Sequence, residues 1–170
     1  MGVVHRYAVQ CHWSGSTGAG YKAYSRDHSG TVVPAPGSHG GSDAGPAVAA
    51  APGLALSADP AFRGDPSRLN PEQLVVLAAA SCQLLSFLAV AARARLDVVA
   101  YADDATGEMP EDDPPVRLTR ITLRPHITFA APVAEARARH LVEVAHRECF
   151  IARSLRTEVT VEPTFDVPDG

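Results

Sequence analysis

Lysine is almost missing from this chain: of fifteen basic residues fourteen are arginine, and only Lys22 is not. The basic residues form no run, and the net charge is −4. Both facts argue against nucleic acid or an anionic membrane surface as partner. No glycine-rich phosphate loop follows a strand, and no GxSxG occurs, so nucleotide binding and serine hydrolysis have no support and no cofactor is expected. The opening MGVVHRYAVQCHW lacks a charged segment followed by an apolar one. It therefore predicts a cytoplasmic protein, in which structural disulfides are unusual. Cysteine is scarce, at three residues. In that setting the cysteines are either inert core residues or redox, catalytic or metal-binding ones.

Hydrophobic residues, by contrast, make up 46% of 170 residues, enough for a real core within one domain spanning 1–170. No internal repeat is visible. Residues 3–13 and 20–33 read as strands joined by an SGSTGAG turn. Residues 34–53, rich in Pro, Gly and Ala, have no period and read as a flexible surface loop insertion. A short strand is expected near Leu54–Ser57.

Asn70, Pro71, Glu72 and Gln73 then give a strong helix start: an N-cap, a first-position proline and an acid at the positive end of the dipole. The helix is expected to run to about Leu96. Its stretch Leu74–Ala92 has the length and apolarity of a membrane span, but its alanines and its Ser81, Cys82, Gln83 and Ser86 favour a helix buried on all sides. Residues 97–107 read as one strand and 116–130 as another, long one. In the latter Leu118, Ile121 or Leu123, and Ile127 or Phe129 face the core. Pro132 is expected to open a second helix through about Arg147, with a stripe of Val133, Ala136, His140 or Leu141, and Val144. A short helical FIARSL and a final strand TEVTVEPTF follow. The pattern is α+β. One chain of this size offers too little to cover the first helix all round, so a homodimer with that helix at its centre is expected.

Taken singly, Cys82 and Cys149 are each small core hydrophobes. As a pair they permit more. One thiolate attacks the O–O bond of a peroxide and becomes a sulfenic acid; the other thiol condenses with it, closing a disulfide that an external dithiol reopens. A thiol of ordinary pKa is mostly protonated at neutral pH, and burial raises its pKa. A reactive Cys82 thus needs a cation, and a cation in an apolar site needs an acid. Glu72 is a candidate acid, although it also serves simply as a first-turn dipole complement. Ten residues of helix separate it from Cys82, about 15 Å. The two therefore meet only across antiparallel helices of two chains, or through a bridging arginine.

LNPEQLVVLAAASC followed by AHRECFIARSL resembles the OsmC/Ohr family of thiol-dependent peroxidases. The shared features are an Asn-Pro-Glu helix start, a cysteine ten residues after the Glu, and a second cysteine opening a later short helix. The order of strands and helices also agrees from Val3 to Phe165. The resemblance implies an OsmC-like fold: antiparallel sheets around a buried central helix, in an intertwined homodimer with active sites at the subunit interface. It implies reduction of hydroperoxides, often organic, with a dithiol such as a lipoylated protein as reductant. By position, Cys82 is then peroxidatic, Cys149 resolving, and Glu72 the anchor of an arginine. Arg63 is the first candidate for that arginine, Arg26 the second and Arg68, expected to face solvent, the third.

Leu69 before Asn-Pro-Glu, Gln83 after the first cysteine, Phe150 after the second and the insertion at 34–53 depart from the family pattern and place the chain in a divergent OsmC-like branch. The alternative is a non-enzymatic dimer of this fold that binds an apolar ligand in its interface cleft; a stress-linked structural dimer is a third reading. Cys11, His12 and His28 are metal-ligand types, but neighbours on a strand point to opposite faces, so Cys11 and His12 do not share an ion. No metal site is expected. His126, His140 and His146 read as surface or half-buried residues, with His146 close enough in sequence to perturb Cys149.

Overall fold

The structure is a computed structural model that describes residues 8–12, 28–33, 53–112 and 114–166, the first two stretches as backbone only. Arg26, Trp13 and the loop at 34–52 lie outside the described residues. The chain divides into two compact units, Met1–Pro71 and Glu72–Gly170.

The first unit holds three antiparallel strands in the order β1 (Ala8–His12), β2 (His28–Val33) and β3 (Leu54–Leu56). A loop then returns on itself. Ser57 N–H donates to the Leu69 carbonyl (3.0 Å), beside a single bridge between Leu56 and Leu69. Inside the loop a turn of 3-10 helix, Pro60–Phe62, is capped by Asp59, whose Oδ1 accepts from Ala61 N–H at 2.8 Å. Asp59 Oδ2 accepts from the Asn70 side chain at 3.1 Å. One aspartate therefore joins the start of the loop to its end. Gly64 N–H donates to the Asp59 carbonyl. A Cβ at that position would stand 1.6 Å from the Ala58 oxygen, so the turn admits no side chain.

The second unit is built on α1 (Pro71–Arg93). It is followed by β4 (Val98–Asp103), β5 (Thr106–Glu108), β6 (Arg120–Leu123), β7 (Pro125–Phe129), α2 (Glu135–Glu148), α3 (Phe150–Ser154), β8 (Glu158–Val161) and β9 (Thr164–Asp166). The strands pair in two sheets, β4-β7-β9 and β5-β6-β8. In each, the first pair is antiparallel and the second parallel. The sheets of this unit are therefore mixed, not antiparallel as expected. The parallel pairs arise because α2 and α3 carry the chain back across, which an antiparallel hairpin would not need.

Each expected long strand is interrupted once. The stretch 97–107 divides at Asp104–Ala105, 116–130 at Arg124, and the last strand at Glu162–Pro163. The three breaks lie side by side and are held by Arg124. Its N–H donates to Asp103 Oδ1 (2.7 Å), its Nη1 to Thr106 Oγ1 (3.0 Å) and its Nε to Glu162 Oε2 (3.1 Å). The side-chain alternation survives the break: Ile121, Leu123, Pro125, Ile127 and Phe129 are all buried.

α1 ends at Arg93, three residues before the expected Leu96. Leu96 N–H donates to Ala91 O and Arg95 N–H to Ala92 O, and Arg95 is left-handed at φ 59°. This is a Schellman closure with arginine where glycine is usual. The helix is also not buried on all sides within the chain. Ala79, Gln83, Phe87, Val90 and Ala91 are buried along one face, while Leu77, Leu85 and Leu88 are exposed. α1 alone, among the described residues, is long and apolar enough to cross a membrane.

α2 begins at Glu135, not at Pro132. Pro132–Ala134 are spent on the turn out of β7, and Ala134 caps the helix with no side-chain hydrogen bond. Its buried stripe is Ala138, Val142 and Ala145, rotated from the expected one; Ala136 and His140 are exposed. The small alanines let the helix approach the core of Phe87, Val90, Ala91, Ile127 and Phe129. A second cluster joins Ala79 of α1 to Ile121 and Leu123 of β6.

Candidate active site

α2 ends and α3 begins at the same residue, Cys149, whose N–H donates to the His146 carbonyl at 3.2 Å. The bend turns its side chain inward, and the residue is 1% exposed. There it meets Cys82, midway along α1. Cys82 lies close enough to raise the Cys149 thiol, and neither cysteine is in a disulfide. Folding thus closes the sixty-seven positions between them.

The two sulfurs have different surroundings. Burial pushes the Cys149 thiol up from its ordinary range; N–H groups of Ala152 and Ile151, at the start of α3, pull it part of the way back, and Cys82 pushes it further up. Cys82 is half-buried and lines a pocket of about 480 Å³. The walls of that pocket are Leu85, Ser86 and Ala89 of α1 and Phe150 of α3, with Arg93, Arg147, Glu148 and Arg153 around them. Arg93 is committed to Glu148 at 2.5 Å.

Behind the thiols, Tyr101 packs on Phe87 with ring centroids 6.1 Å apart. Its hydroxyl is shielded from solvent and has no protein partner. Burial, then the charges of Asp103 and Cys149, raise it well above the ordinary phenol range. Asp103 is itself raised, chiefly by burial, against the Arg124 N–H that lowers it.

Cys82 and Cys149 are therefore brought together as a pair. Glu72 is half-buried in the first turn of α1. It makes no ion pair among the described residues. Arg63 follows the 3-10 turn in the first unit, left-handed at φ 67° and with its side chain exposed. Arg68, expected to face solvent, is half-buried and paired to Asp65 at 3.3 Å. His126 and His140 are exposed, and His146 is half-buried with a shielded, unpartnered Nδ1. Among the described residues no group of three His, Cys, Asp or Glu is placed to hold a metal.

The arginines of the pocket were not singled out from the sequence, where only residues upstream of α1 were considered. A signal existed for one of them. Arg153 stands four residues after Cys149, which on a helix places it on the same face.

The sequence model of OsmC-like proteins matches residues 64–164, more than half of the chain, and it spans both cysteines. The chain belongs to the OsmC-like family. No curated protein sequence matches it. Among solved structures, an OsmC-like protein of unknown function from Vibrio cholerae is 25% identical, with a TM-score of 0.76 over 95% of this chain and 100% of that one. An organic hydroperoxide resistance protein from Elizabethkingia anophelis, with thiocyanate bound, is 16% identical at a TM-score of 0.65, covering 99% and 100%. The organic hydroperoxide resistance protein OsmC from Legionella pneumophila is 15% identical at 0.61, covering 98% and 100%. At these levels the last two share the OsmC-like fold with this chain.

Proposed function

We propose that this OsmC-like chain is a two-cysteine peroxidase for organic hydroperoxides. One observation carries the reading: two free cysteines are neighbours, and only one of them opens on a pocket. Cys82 thiolate attacks the outer peroxide oxygen, the O–O bond breaks, and the alkoxide leaves and takes up a proton. Cys82 is now a sulfenic acid. Cys149, kept as a thiol by burial until then, attacks the Cys82 sulfur, expelling water and closing the disulfide. An external dithiol, a lipoylated protein being the chemical type, reduces the disulfide and is itself oxidised.

The burial of Cys149 supports this division of labour, because a buried, protonated thiol is a poor nucleophile toward peroxide. The reading assigns to an arginine from the first unit, Arg63 before Arg26, the stabilisation of the thiolate and of the leaving alkoxide, and to Glu72 the holding of that arginine. It further assigns a homodimer built on the outer face of α1, where Leu77 and Leu85 are 55% and 64% exposed and where Glu72 of one copy approaches Cys82 of the other.

The test is a titration of reduced protein with cumene hydroperoxide and with hydrogen peroxide, read by peptide mass with Cys82→Ser as control. The expected result is a loss of about two mass units mapped to Cys82 and Cys149, at one equivalent of peroxide and faster with the organic one. No disulfide at that stoichiometry would sink the peroxidase reading and favour a non-enzymatic dimer that binds an apolar ligand.

A further inference from the structure

β4 sends two polar side chains inward behind the thiols. Tyr101 stands opposite Ile127 of β7 and Asp103 opposite Pro125, and both of those partners are buried, so the two share the face that meets the core. The Tyr101 ring is held 6.1 Å from Phe87 of α1, which in turn lies edge-on to Phe129 at 6.5 Å. This fixes the hydroxyl where water does not reach it and where no protein group accepts from it. A phenol that stays protonated is a committed donor, and a buried donor without an acceptor costs stability.

The charged groups that face this hydroxyl are Asp103 and Cys149. Asp103 Oδ1 is occupied by the Arg124 N–H at 2.7 Å. Its Oδ2 and Gln83 Oε1 are also shielded and unpartnered, but neither group changes charge in the reaction. Cys149 does. As a thiol its sulfur is a weak acceptor; as a thiolate it is a strong one. A thiolate there also holds the phenol protonated. A hydrogen bond missing in the resting site and made as charge develops lowers the barrier rather than the ground state.

We propose that the Tyr101 hydroxyl donates to the Cys149 sulfur as it ionises, and so promotes closure of the Cys82–Cys149 disulfide. This deepens the peroxidase reading and rests on it for the closure step, though not for the ionisation of Cys149. In that step the Cys149 thiol gives up its proton and its sulfur attacks the Cys82 sulfur. The S–O bond of the sulfenic acid breaks, and the departing hydroxide takes up a proton as water. Tyr101 keeps its own proton throughout. The other groups acting on Cys149 are Cys82, which raises it, and the N–H groups of Ala152 and Ile151, which lower it; those acting on Asp103 are Arg124 and Asp104. Tyr101→Phe leaves all of them, and the ring on Phe87, in place.

Two measurements separate the donor from the peroxide chemistry. The first needs no turnover: the Cys149 ¹³Cβ shift is followed against pH in Cys82→Ser, with Tyr101 and with Tyr101→Phe. Loss of the donor is expected to move the titration up by about one pH unit or more. A 3-fluorotyrosine at position 101, a stronger donor, is expected to move it down, and this decides the matter if the phenylalanine variant does not fold. A titration that ignores both changes overturns the donor. In the second, single-turnover oxidation of the protein with both cysteines is followed by acid quench and peptide mass. The ratio of the closure rate to the first oxidation rate is expected to fall about tenfold or more in Tyr101→Phe; an equal ratio overturns the role in closure. Failure of the cumene hydroperoxide titration would remove the peroxidase reading and leave the ¹³Cβ titration to decide the donor.

Discussion

Cys149 and Cys82 are neighbours, yet one is buried and the other lines a cavity, and that contrast controls the chemistry at the scale of single residues. The raised Cys149 thiol gives a pH signature. Its thiolate fraction still grows above the ordinary thiol range, so closure of the disulfide should accelerate as pH rises there. Stopped-flow oxidation followed by acid quench and mass analysis measures that step. In Cys149→Ser the sulfenic acid on Cys82 should persist and be captured by dimedone, while the first, stoichiometric oxidation keeps its rate. Asp103 makes a separate prediction about stability. Its native pKa is raised, chiefly by burial. Its contribution to stability is therefore fully present below the unfolded carboxylate pKa of about 3.9 and is lost as pH rises through the native value. Asp103→Asn keeps an oxygen to accept from the Arg124 N–H at Asp103 Oδ1 and carries no charge. The variant should be the more stable at pH 7 and show a flatter acid dependence, measured by urea unfolding at several pH values.

The elements were legible where local chemistry and tertiary demand coincide. Asn70-Pro71-Glu72 marks the start of α1, and the helix does begin at Pro71. Its end was less legible, because arginine rather than glycine occupies the left-handed position at Arg95. That substitution for the usual residue costs about 1–2 kcal/mol. Arg95→Gly is therefore expected to stabilise the protein by about 1 kcal/mol, raising Tm by about 2–4 °C in a calorimetric scan. The three strand breaks had no local signature strong enough to read. Arg124 holds them through Asp103, Thr106 and Glu162, residues that are neighbours only across strands. α2 misled for the opposite reason. Pro132 is an apt helix opener, but the chain needs it and the next two residues to leave β7, and the helix starts at Glu135 without a side-chain cap.

At the scale of the molecule, α1 presents an unusual surface. One face packs on the sheet through Ala79, Phe87, Val90 and Ala91; another leaves Leu77, Leu85 and Leu88 exposed. Isolated exposed leucines are ordinary, but a row of them on one helix marks an interaction surface. Under the proposed homodimer, Leu77→Asp, on the same face but outside the Cys82 pocket, should shift the protein toward monomer in sedimentation velocity. It should also slow peroxide reduction if Glu72 acts on the cysteine of the second copy. A variant that stays at its original mass, with unchanged rate, would argue against α1 as the interface.

The sequence by itself determined the family, the pairing of an acid-led helix with two cysteines, and the order of strands and helices. These are properties of short segments whose residue types and spacing are sufficient evidence. The tertiary structure alone decided that Cys149 turns inward onto Cys82, that two sheets are mixed, that α1 buries one face only, and that Arg147 and Arg153 join the pocket. The reason is physical. Each of these depends on which segments face one another, and that is fixed by burial of the whole core, which no local window of sequence contains.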